Sequence, residues 1–325
     1  MTAVELPQGR PLQRLPVRRI RQILCLVPLL LVTVVAVRHR SVLAEGFGHL
    51  RHAEWPWLMA AVGTTCLTWV AASFTRQGAV VERLPRRRLL ATQFAAGAAN
   101  HLLPTGLGAG AVNLRFMTVC GVPLARSSAA LALYLLAESV GRLALLAALL
   151  VAFPDALRIG TLLPDESAGP LLLGGLGAVL VVAVGVLVGV RRVRRAVGSF
   201  LRTALCEARS VHTRPSRALA LWGGSLAFPA LQAAGFTAVG QALGLSVPPA
   251  HMALAYLAAT CAVALVPTPG GVGSVEAALV VALVAAGGPA AVATAVVLAY
   301  RIITVWVPLL PGALTLGALV RLKVI

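Results

Sequence analysis

Pro267-Thr268-Pro269-Gly270-Gly271-Val272-Gly273 interrupts an apolar stretch that covers residues 251–288. A second apolar stretch, 89–122, is interrupted in the same way at residues 104–110. Such runs stop a helix, because proline removes a backbone donor and glycine tolerates reversed backbone angles. Each remaining half is shorter than the ~20 residues that a span needs, so both stretches predict re-entrant helical hairpins. The residues predicted at the two turns are Pro104, Gly106, Gly108, Gly110, Pro267, Pro269, Gly270, Gly271 and Gly273.

The two hairpins form an internal repeat. A proline, a threonine and two glycines of the first turn match those of the second at a constant spacing of 163 positions. Asn113 follows the first turn and Glu276 the second, and each is followed by a long apolar segment with one arginine, Arg142 or Arg301. We predict an inverted repeat, an architecture that recurs in transporters. Repeat 1 covers about 55–152, a connecting span 169–190, and repeat 2 about 218–319.

The composition is that of a membrane protein. Of the 325 residues, 59% are hydrophobic and 12% are charged, and the mean hydropathy is +0.89. Soluble chains carry about 25% charged residues. We therefore predict an all-α polytopic membrane protein with about six full spans and two re-entrant helical hairpins. The predicted spans are residues 23–37, 55–73, 124–152, 169–190, 218–243 and 290–319, all in one transmembrane domain, 23–325.

The formal net charge of +18 predicts the orientation of the chain. The basic residues concentrate in the tail 1–22 and in the segments between alternate spans, as in cytoplasmic loops, so no nucleic-acid partner is expected. Lys323 is the only lysine among 28 basic residues, a usage typical of high-GC bacteria. We expect a multi-pass protein of the bacterial plasma membrane with both termini cytoplasmic. Residues 196–217 mix apolar residues with arginine at helical spacing, which predicts an interfacial helix on an anionic leaflet.

Several motifs carry a family resemblance. They are Asn100-His101-Leu102-Leu103-Pro104 with its glycine-rich turn and Arg115, the pattern P-x-x-G-G-x-G-x-x-E that ends at Glu276, and Tyr300-Arg301 with Gly312 behind it. From about residue 55 onward, the sequence resembles the transmembrane region of the lysylphosphatidylglycerol synthase family, also called the flippase-like family. The resemblance implies a translocating membrane region. Two-part members carry a soluble aminoacyl-transfer domain after it, and because this chain ends at Ile325, we expect the membrane part only.

Two positions depart from the family pattern. The family often has an arginine after Glu138 and an acidic residue three positions later, where this chain has Ser139 and Arg142. The first turn also lacks the acidic residue that the family commonly has just after the glycines, and Gly110 and Asn113 stand there instead.

The ionisable residues within the apolar segments are the candidate site. A charge in the hydrocarbon layer costs about 2.5 kcal/mol or more, so it is kept paired and faces inward. Glu138 and Arg142 lie one turn apart and predict either a self-neutralising pair that fixes packing, or a site for a lipid phosphate or a proton-linked switch. Arg301 has no local acid, so we predict that it pairs with Glu276, which can also cap its own helix.

The first hairpin supplies the other polar candidates. Asn100 is expected to cap broken backbone, and His101 to pack or to relay a proton. The glycines either permit tight turns or present N–H groups to an anion. The predicted substrate-binding residues are Arg142, Arg301, Glu138, Glu276, Arg115, Asn100, His101 and Asn113.

The function that these patterns favour is translocation of a phospholipid or lipid-linked substrate. The expected partner is a membrane lipid, either an anionic phospholipid or a polyprenyl-phosphate-linked substrate. Two alternatives stay open. One is a scaffold for a partner synthase or glycosyltransferase, and the other is an enzyme that modifies lipid head groups. The sequence contains no recognisable catalytic set, so we expect no enzymatic activity, no cofactor and no metal.

Overall fold

The computed structural model describes residues 53–102, 108–154, 191–263 and 273–322, and within these ranges the chain is all-helical with no strand. All of these residues belong to one compact unit, Ser41–Ile325. Several predicted features lie outside the described residues, namely the tail 1–22, the spans 23–37 and 169–190, and the turn residues Pro104, Gly106, Pro267, Pro269, Gly270 and Gly271.

The helices are named here in chain order. They are α1 (Trp55–Gly78), α2 (Arg86–Leu102), α3 (Gly108–Val119), α4 (Leu124–Ala152), α5 (Arg191–His212), α6 (Pro215–Ala242), α7 (Pro249–Val263), α8 (Ser274–Ala285), α9 (Ala290–Arg301) and α10 (Val307–Arg321). A π-helical segment, Ile302–Trp306, joins α9 to α10 without a break.

Four helices of the described residues are long and apolar enough to cross a membrane. They are α1 with 24 residues, α4 with 29, α6 with 28 and the continuous helix Ala290–Arg321 with 32. At 1.5 Å per residue, the shortest is about 36 Å long, more than the ~30 Å of a hydrocarbon core. These helices correspond to the predicted spans 55–73, 124–152, 218–243 and 290–319. The predicted membrane class is therefore confirmed.

The two interrupted stretches each form a pair of short helices. In the first, α2 has 17 residues and packs against α3, which has 12. In the second, α7 has 15 residues and packs against α8, which has 12.

Two glycines predicted at the first turn lie instead in a helix. Gly108 begins α3, and Gly110 belongs to its first turn. Ala109 and Ala111 alternate with these glycines and are strong helix formers, so the helix already includes both glycines. Gly108 has a packing role, since a Cβ there would lie 2.1 Å from the carbonyl oxygen of Ala99 in α2.

The central pair of helices is α1 and α6, which run antiparallel. The Glu54 N–H at the start of α1 donates to the Ala242 carbonyl at the end of α6 over 3.0 Å. At the other end, a Cβ on Gly78 would lie 2.3 Å from the backbone nitrogen of Leu221. Small residues thus let the two backbones approach closely, as in membrane helix pairs generally.

Buried apolar side chains form two clusters, one around each pair of short helices. The first cluster joins α2 and α3 to the nearby ends of α1, α4, α5 and α6, and it includes Leu84, Leu89, Phe116, Met117, Val122, Tyr134, Val211 and Leu221. The second joins α7 and α8 to α9 and the far end of α6, and it includes Phe236, Leu243, Leu245, Met252, Tyr256, Leu279, Leu283 and Tyr300.

Candidate functional site

A cavity of about 410 Å³ lies among α1, α2, α3, α4, α6 and α9. Half of the residues that line it have polar side chains, although the surrounding helices are apolar. Polar groups away from water are unfavourable unless they have partners, so such a concentration calls for an explanation. The cavity is therefore the candidate site. The polar side chains that line it are Thr65, Thr68, Arg76, Gln93, Asn100, His101, Tyr134, Glu138, Gln232, Tyr300 and Thr304.

An ion pair between Arg76 and Glu138 lies in the wall of the cavity. Arg76 is 8% exposed, and its Nη1 contacts Glu138 Oε1 and donates to the Ala72 carbonyl over 3.3 Å. Its guanidinium also lies 4.4 Å from the ring centroid of Tyr134, a cation–π distance. Its Nε is buried and has no hydrogen-bond partner among the described residues.

The predicted pair between Glu138 and Arg142 is wrong. Arg76 was expected in a cytoplasmic loop after residue 73, but α1 continues to Gly78 and carries Arg76 into the bundle. The end of α1 is held there by Arg217, whose guanidinium donates to the carbonyls of Gln77 and Val81, each over 3.0 Å. Arg76 is buried whereas Arg142 is only half-buried. An unpaired buried charge is the more unfavourable of the two, so Arg76 gains more from the carboxylate of Glu138.

Arg142 is instead bonded to an amide. Its Nη2 donates to Gln232 Oε1 of α6 over 3.2 Å, and no described carboxylate forms an ion pair with it. Arg142 does not line the cavity itself, but Gln232 does. The described part of this region therefore carries one positive charge in excess.

The predicted ion pair between Arg301 and Glu276 is confirmed. Arg301 Nε lies 2.5 Å from Glu276 Oε1, and the two side chains are 12% and 25% exposed. Glu276 Oε2 also accepts from the Gly273 N–H over 2.6 Å, which caps the start of α8. Gly273 has φ of +89°, a backbone conformation that favours glycine. Glu276 thus serves both as a cap and as a counter-ion.

The first pair of short helices brings His101 to this ion pair. His101 lines the cavity, and its imidazole lies within electrostatic range of Arg301 and Glu276. Through His101, the second ion pair adjoins the cavity wall.

A group of aromatic residues connects Gln232 to α7 and α9. The Tyr300 hydroxyl donates to the Gln232 carbonyl over 3.2 Å and lies 3.3 Å from the Tyr256 hydroxyl. The Phe236 ring packs against both tyrosine rings, with centroids 5.2 Å away in each case. This group fixes the side of the cavity that Gln232 and Tyr300 form.

The predicted substrate-binding residues fall into three groups. Asn100, His101 and Glu138 line the cavity, together with Gly110. Arg142, Arg301 and Glu276 adjoin it through Gln232 or His101. The structure does not bring the remaining two to the cavity. Asn113 is buried and accepts from Gln93 Nε2 over 3.1 Å, which joins α3 to α2, and Arg115 is exposed.

Sequence reasoning missed Arg76, Gln232 and Tyr300. Gln232 had a usable signal, since it is the lone amide in the middle of an apolar span. Tyr300 adjoins Arg301 in the motif, so its position was also indicated. The only sequence signal for Arg76 was its closeness to a predicted helix end, and sequence patterns locate helix ends poorly.

Comparison with known proteins identifies the family of this chain. The sequence matches the family described as Lysylphosphatidylglycerol synthase TM region over residues 19–312, nearly the whole chain. No curated protein matches the chain at a significant level. The resemblance expected from the two turn motifs is confirmed. The chain is a multi-pass membrane protein, and it belongs to the lysylphosphatidylglycerol synthase transmembrane-region family.

Proposed function

We propose that this protein translocates a phospholipid, or another phosphate-bearing lipid-linked substrate, between the leaflets of the bacterial plasma membrane. The observation that carries the proposal is a cavity among apolar helices whose lining includes a group of polar and charged side chains. Its volume of about 410 Å³ falls within the range of about 300–1,000 Å³ typical of ligand pockets. A cavity of this size suits a head group, while the acyl chains stay in the bilayer.

The charge of the site favours an anionic head group. Glu138 is neutralised by Arg76, whereas Arg142 has only the Gln232 amide as its partner among the described residues. A guanidinium presents a planar fork of donors that matches phosphate oxygens. In the proposed cycle, the lipid phosphate reaches Arg142 by replacing Gln232, and the Arg76–Glu138 pair sets the cavity wall. The family name points to a phosphatidylglycerol-derived lipid as the first substrate to test.

The proposed architecture is an inverted repeat of α1–α4 and α6–α10. A shift of 163 positions carries α1 onto residues 218–241, which lie within α6. The packing is reciprocal, since α2 of the first half packs against α10 and α7 of the second half packs against α4. Each short-helix pair also has its own apolar cluster. These observations support two re-entrant hairpins that enter from opposite sides, within a molecule of six spans.

The proposed orientation places the arginine-rich end in the cytoplasm. Arg83 is exposed in the connection between α1 and α2, and Arg86, Arg87 and Arg88 are exposed in the first turn of α2. The connections 243–248 and 286–289, in contrast, contain no basic residue. The positive-inside rule then makes both termini cytoplasmic.

A liposome assay tests the function. The purified full chain is reconstituted with fluorescent phosphatidylglycerol, and dithionite reports the fraction of label that reaches the inner leaflet. We expect Arg142→Gln to slow the exchange about ten-fold or more, since a hydrogen bond to a charged group contributes about 1.5–3 kcal/mol. Arg115→Gln is the matched control, because Arg115 is exposed and does not line the cavity.

Three outcomes separate the candidate functions. Redistribution of unchanged lipid supports translocation. Conversion of the lipid to a new species, seen by mass spectrometry, supports an enzyme. Wild-type rates equal to those of empty liposomes contradict transport by this chain alone and favour the scaffold for a partner enzyme.

A further inference from the structure

We infer that α5 lies in the head-group layer of an anionic leaflet, with Leu201 and Leu205 in the hydrocarbon and Arg202 and Arg209 on lipid phosphates. The helix spans Arg191–His212 and packs against α4 and α6. Its sequence contains six arginines and one acidic residue. An amphipathic helix of this composition is typical of membrane surfaces.

The exposed face of α5 carries an apolar stripe beside a basic one. Leu201 is 52% exposed and Leu205 is 70% exposed, and their spacing of four residues places them on one side of the helix. Arg202 and Arg209 are also exposed, and their spacing of seven residues aligns them along the adjacent side. A helix parallel to the bilayer would insert the leucine stripe and leave the arginine stripe at the level of the phosphates.

The acidic residue of α5 is turned away from this face. Glu207 is buried against α4, where both of its oxygens accept from Arg126. Arg126 in turn pairs with Glu82 over 2.7 Å in the connection between α1 and α2. Among the described side chains of α5, the charges that face outward are therefore all positive. This surface complements anionic lipid, and each basic residue near such a surface contributes about 1 kcal/mol.

The last turn of α5 sets its depth. The indole N–H of Trp222 in α6 donates to Nε2 of His212 over 3.0 Å, and the two rings pack edge to face. Trp222 is two turns from the start of α6 and is partly exposed. Tryptophan concentrates at the interface between water and hydrocarbon. A helix bonded to Trp222 at one end and to Arg126 further along is held at that interface.

An environment-sensitive probe tests the insertion. Two variants with a single cysteine each are labelled with nitrobenzoxadiazole. One has Leu205→Cys and no native cysteine, and the other keeps only the native Cys206, which is exposed on a different side of the helix. The full chain is reconstituted in vesicles of phosphatidylcholine and phosphatidylglycerol in equal parts. We expect blue-shifted emission and strong quenching by an acyl-chain nitroxide at position 205, and weaker effects of both kinds at position 206. Equal, water-like emission at both positions would overturn the inference and identify the stripe as a protein-docking surface.

A charge series tests the lipid specificity. The probe is placed at position 205, the responsive position, and phosphatidylglycerol is titrated into phosphatidylcholine bicelles that contain the protein. Arg202→Gln with Arg209→Gln should raise the midpoint by about five-fold per arginine removed. The charge-conserving pair Arg202→Lys with Arg209→Lys should stay within about two-fold of the wild type. A midpoint that is unchanged in the glutamine variant contradicts the binding of anionic lipid, whatever the outcome of the transport assay.

Discussion

Three arginines of the described residues lie among the apolar helices, and they have two kinds of partner. Arg76 and Arg301 are paired with carboxylates on other helices, Glu138 and Glu276, whereas Arg142 is bonded to the Gln232 amide. A paired charge mainly holds the structure, because removal of its partner leaves an uncompensated ion. A charge held by a neutral amide can exchange that amide for a ligand. This difference at the level of single residues is the reason to expect binding at Arg142 and stability at the other two.

The Arg301–Glu276 pair is predicted to contribute to folding as a unit. Arg301→Gln alone and Glu276→Gln alone should each lower the thermal unfolding temperature in detergent, since loss of one partner of a buried pair costs about 3–5 kcal/mol. Partial exposure of the two side chains places the effect at the lower end of that range. The double variant should lose less than the sum of the two single losses. Glutamine keeps the helix cap, because an amide oxygen also accepts from the Gly273 N–H.

The matched control is Arg115→Gln, which changes an exposed arginine and should leave the unfolding temperature almost unchanged. If the losses in the double variant add up fully, the two charges are not coupled.

The outcome for these residues shows what sequence can and cannot supply. Arg301 had no local acid, and Glu276 was an acid without a local base, so counting charges was sufficient to pair them. The same count failed for Glu138 because Arg76 had been predicted in a cytoplasmic loop outside the membrane. Arg76 entered the bundle only because α1 continues to Gly78, where Arg217 holds its last carbonyls. Contacts between distant segments, such as that of Arg217 with Gln77, have no local sequence signal.

The pairing of α1 with α6 depends on glycines whose neighbours leave no space for a side chain. A Cβ at Gly224 would lie 2.4 Å from Thr75 Oγ1 and 2.8 Å from the Ala71 carbonyl, whereas a Cβ at Gly223 would meet nothing within 4 Å. In α4, a Cβ at Gly141 would lie 2.6 Å from the Ser225 carbonyl. The three long helices thus meet closely around residues 224 and 225.

Neighbouring glycines should therefore respond in opposite ways to the same substitution. Gly224→Ala should destabilise the protein by about 1–3 kcal/mol, because the added methyl forces α1 and α6 apart. Gly223→Ala should be neutral or slightly stabilising, since alanine is the better helix former by about 1 kcal/mol. Thermal unfolding in detergent measures both. Equal losses for the two variants would show that close packing at Gly224 is not the cause.

The long helices were predictable, and the details of their ends were not. Four predicted spans were confirmed, because a run of about twenty apolar residues is long enough to cross the hydrocarbon core and is rarely anything other than a transmembrane helix. The end of α1 and the start of α3 at Gly108 depended instead on contacts with residues far away in the sequence. Ala99 in α2 decides how closely α3 can approach, and nothing near Gly108 in the sequence indicates that neighbour.

The described bundle has one arginine-rich end and one end without arginine or lysine. Glu54, Ala242, the connection 243–248 and Gly288 meet at the second end, where Gly288 lies against Leu245 and Val247. Arg126, Glu82 and Glu207 form a charged network at the first end. Such asymmetry across the whole molecule is what orients a chain in a membrane.

Cysteine labelling in intact cells tests this orientation. In an otherwise cysteine-free chain, Ser246→Cys places a thiol in the connection 243–248, and the native Cys120 lies between α3 and α4; both positions are exposed. A membrane-impermeant maleimide should label position 246 in intact cells and Cys120 only after lysis. A permeant maleimide, which should label both, is the control. Labelling of Cys120 from outside would reverse the proposed orientation.

The π-helical segment Ile302–Trp306 sets the direction in which the end of the last span faces. Its wider turn offsets the register between the parts before and after it, so α9 directs Arg301 towards α8 while α10 directs Gly312 against Phe94 of α2. If the same residues formed an ordinary helix, they would turn further about the axis, by about 100° over the segment. Gly312 would then no longer face the Phe94 carbonyl, and a bulkier residue would have to fit there. A homologous chain with one residue fewer in this segment should therefore have an ordinary helix there and keep the same face of α10 against α2.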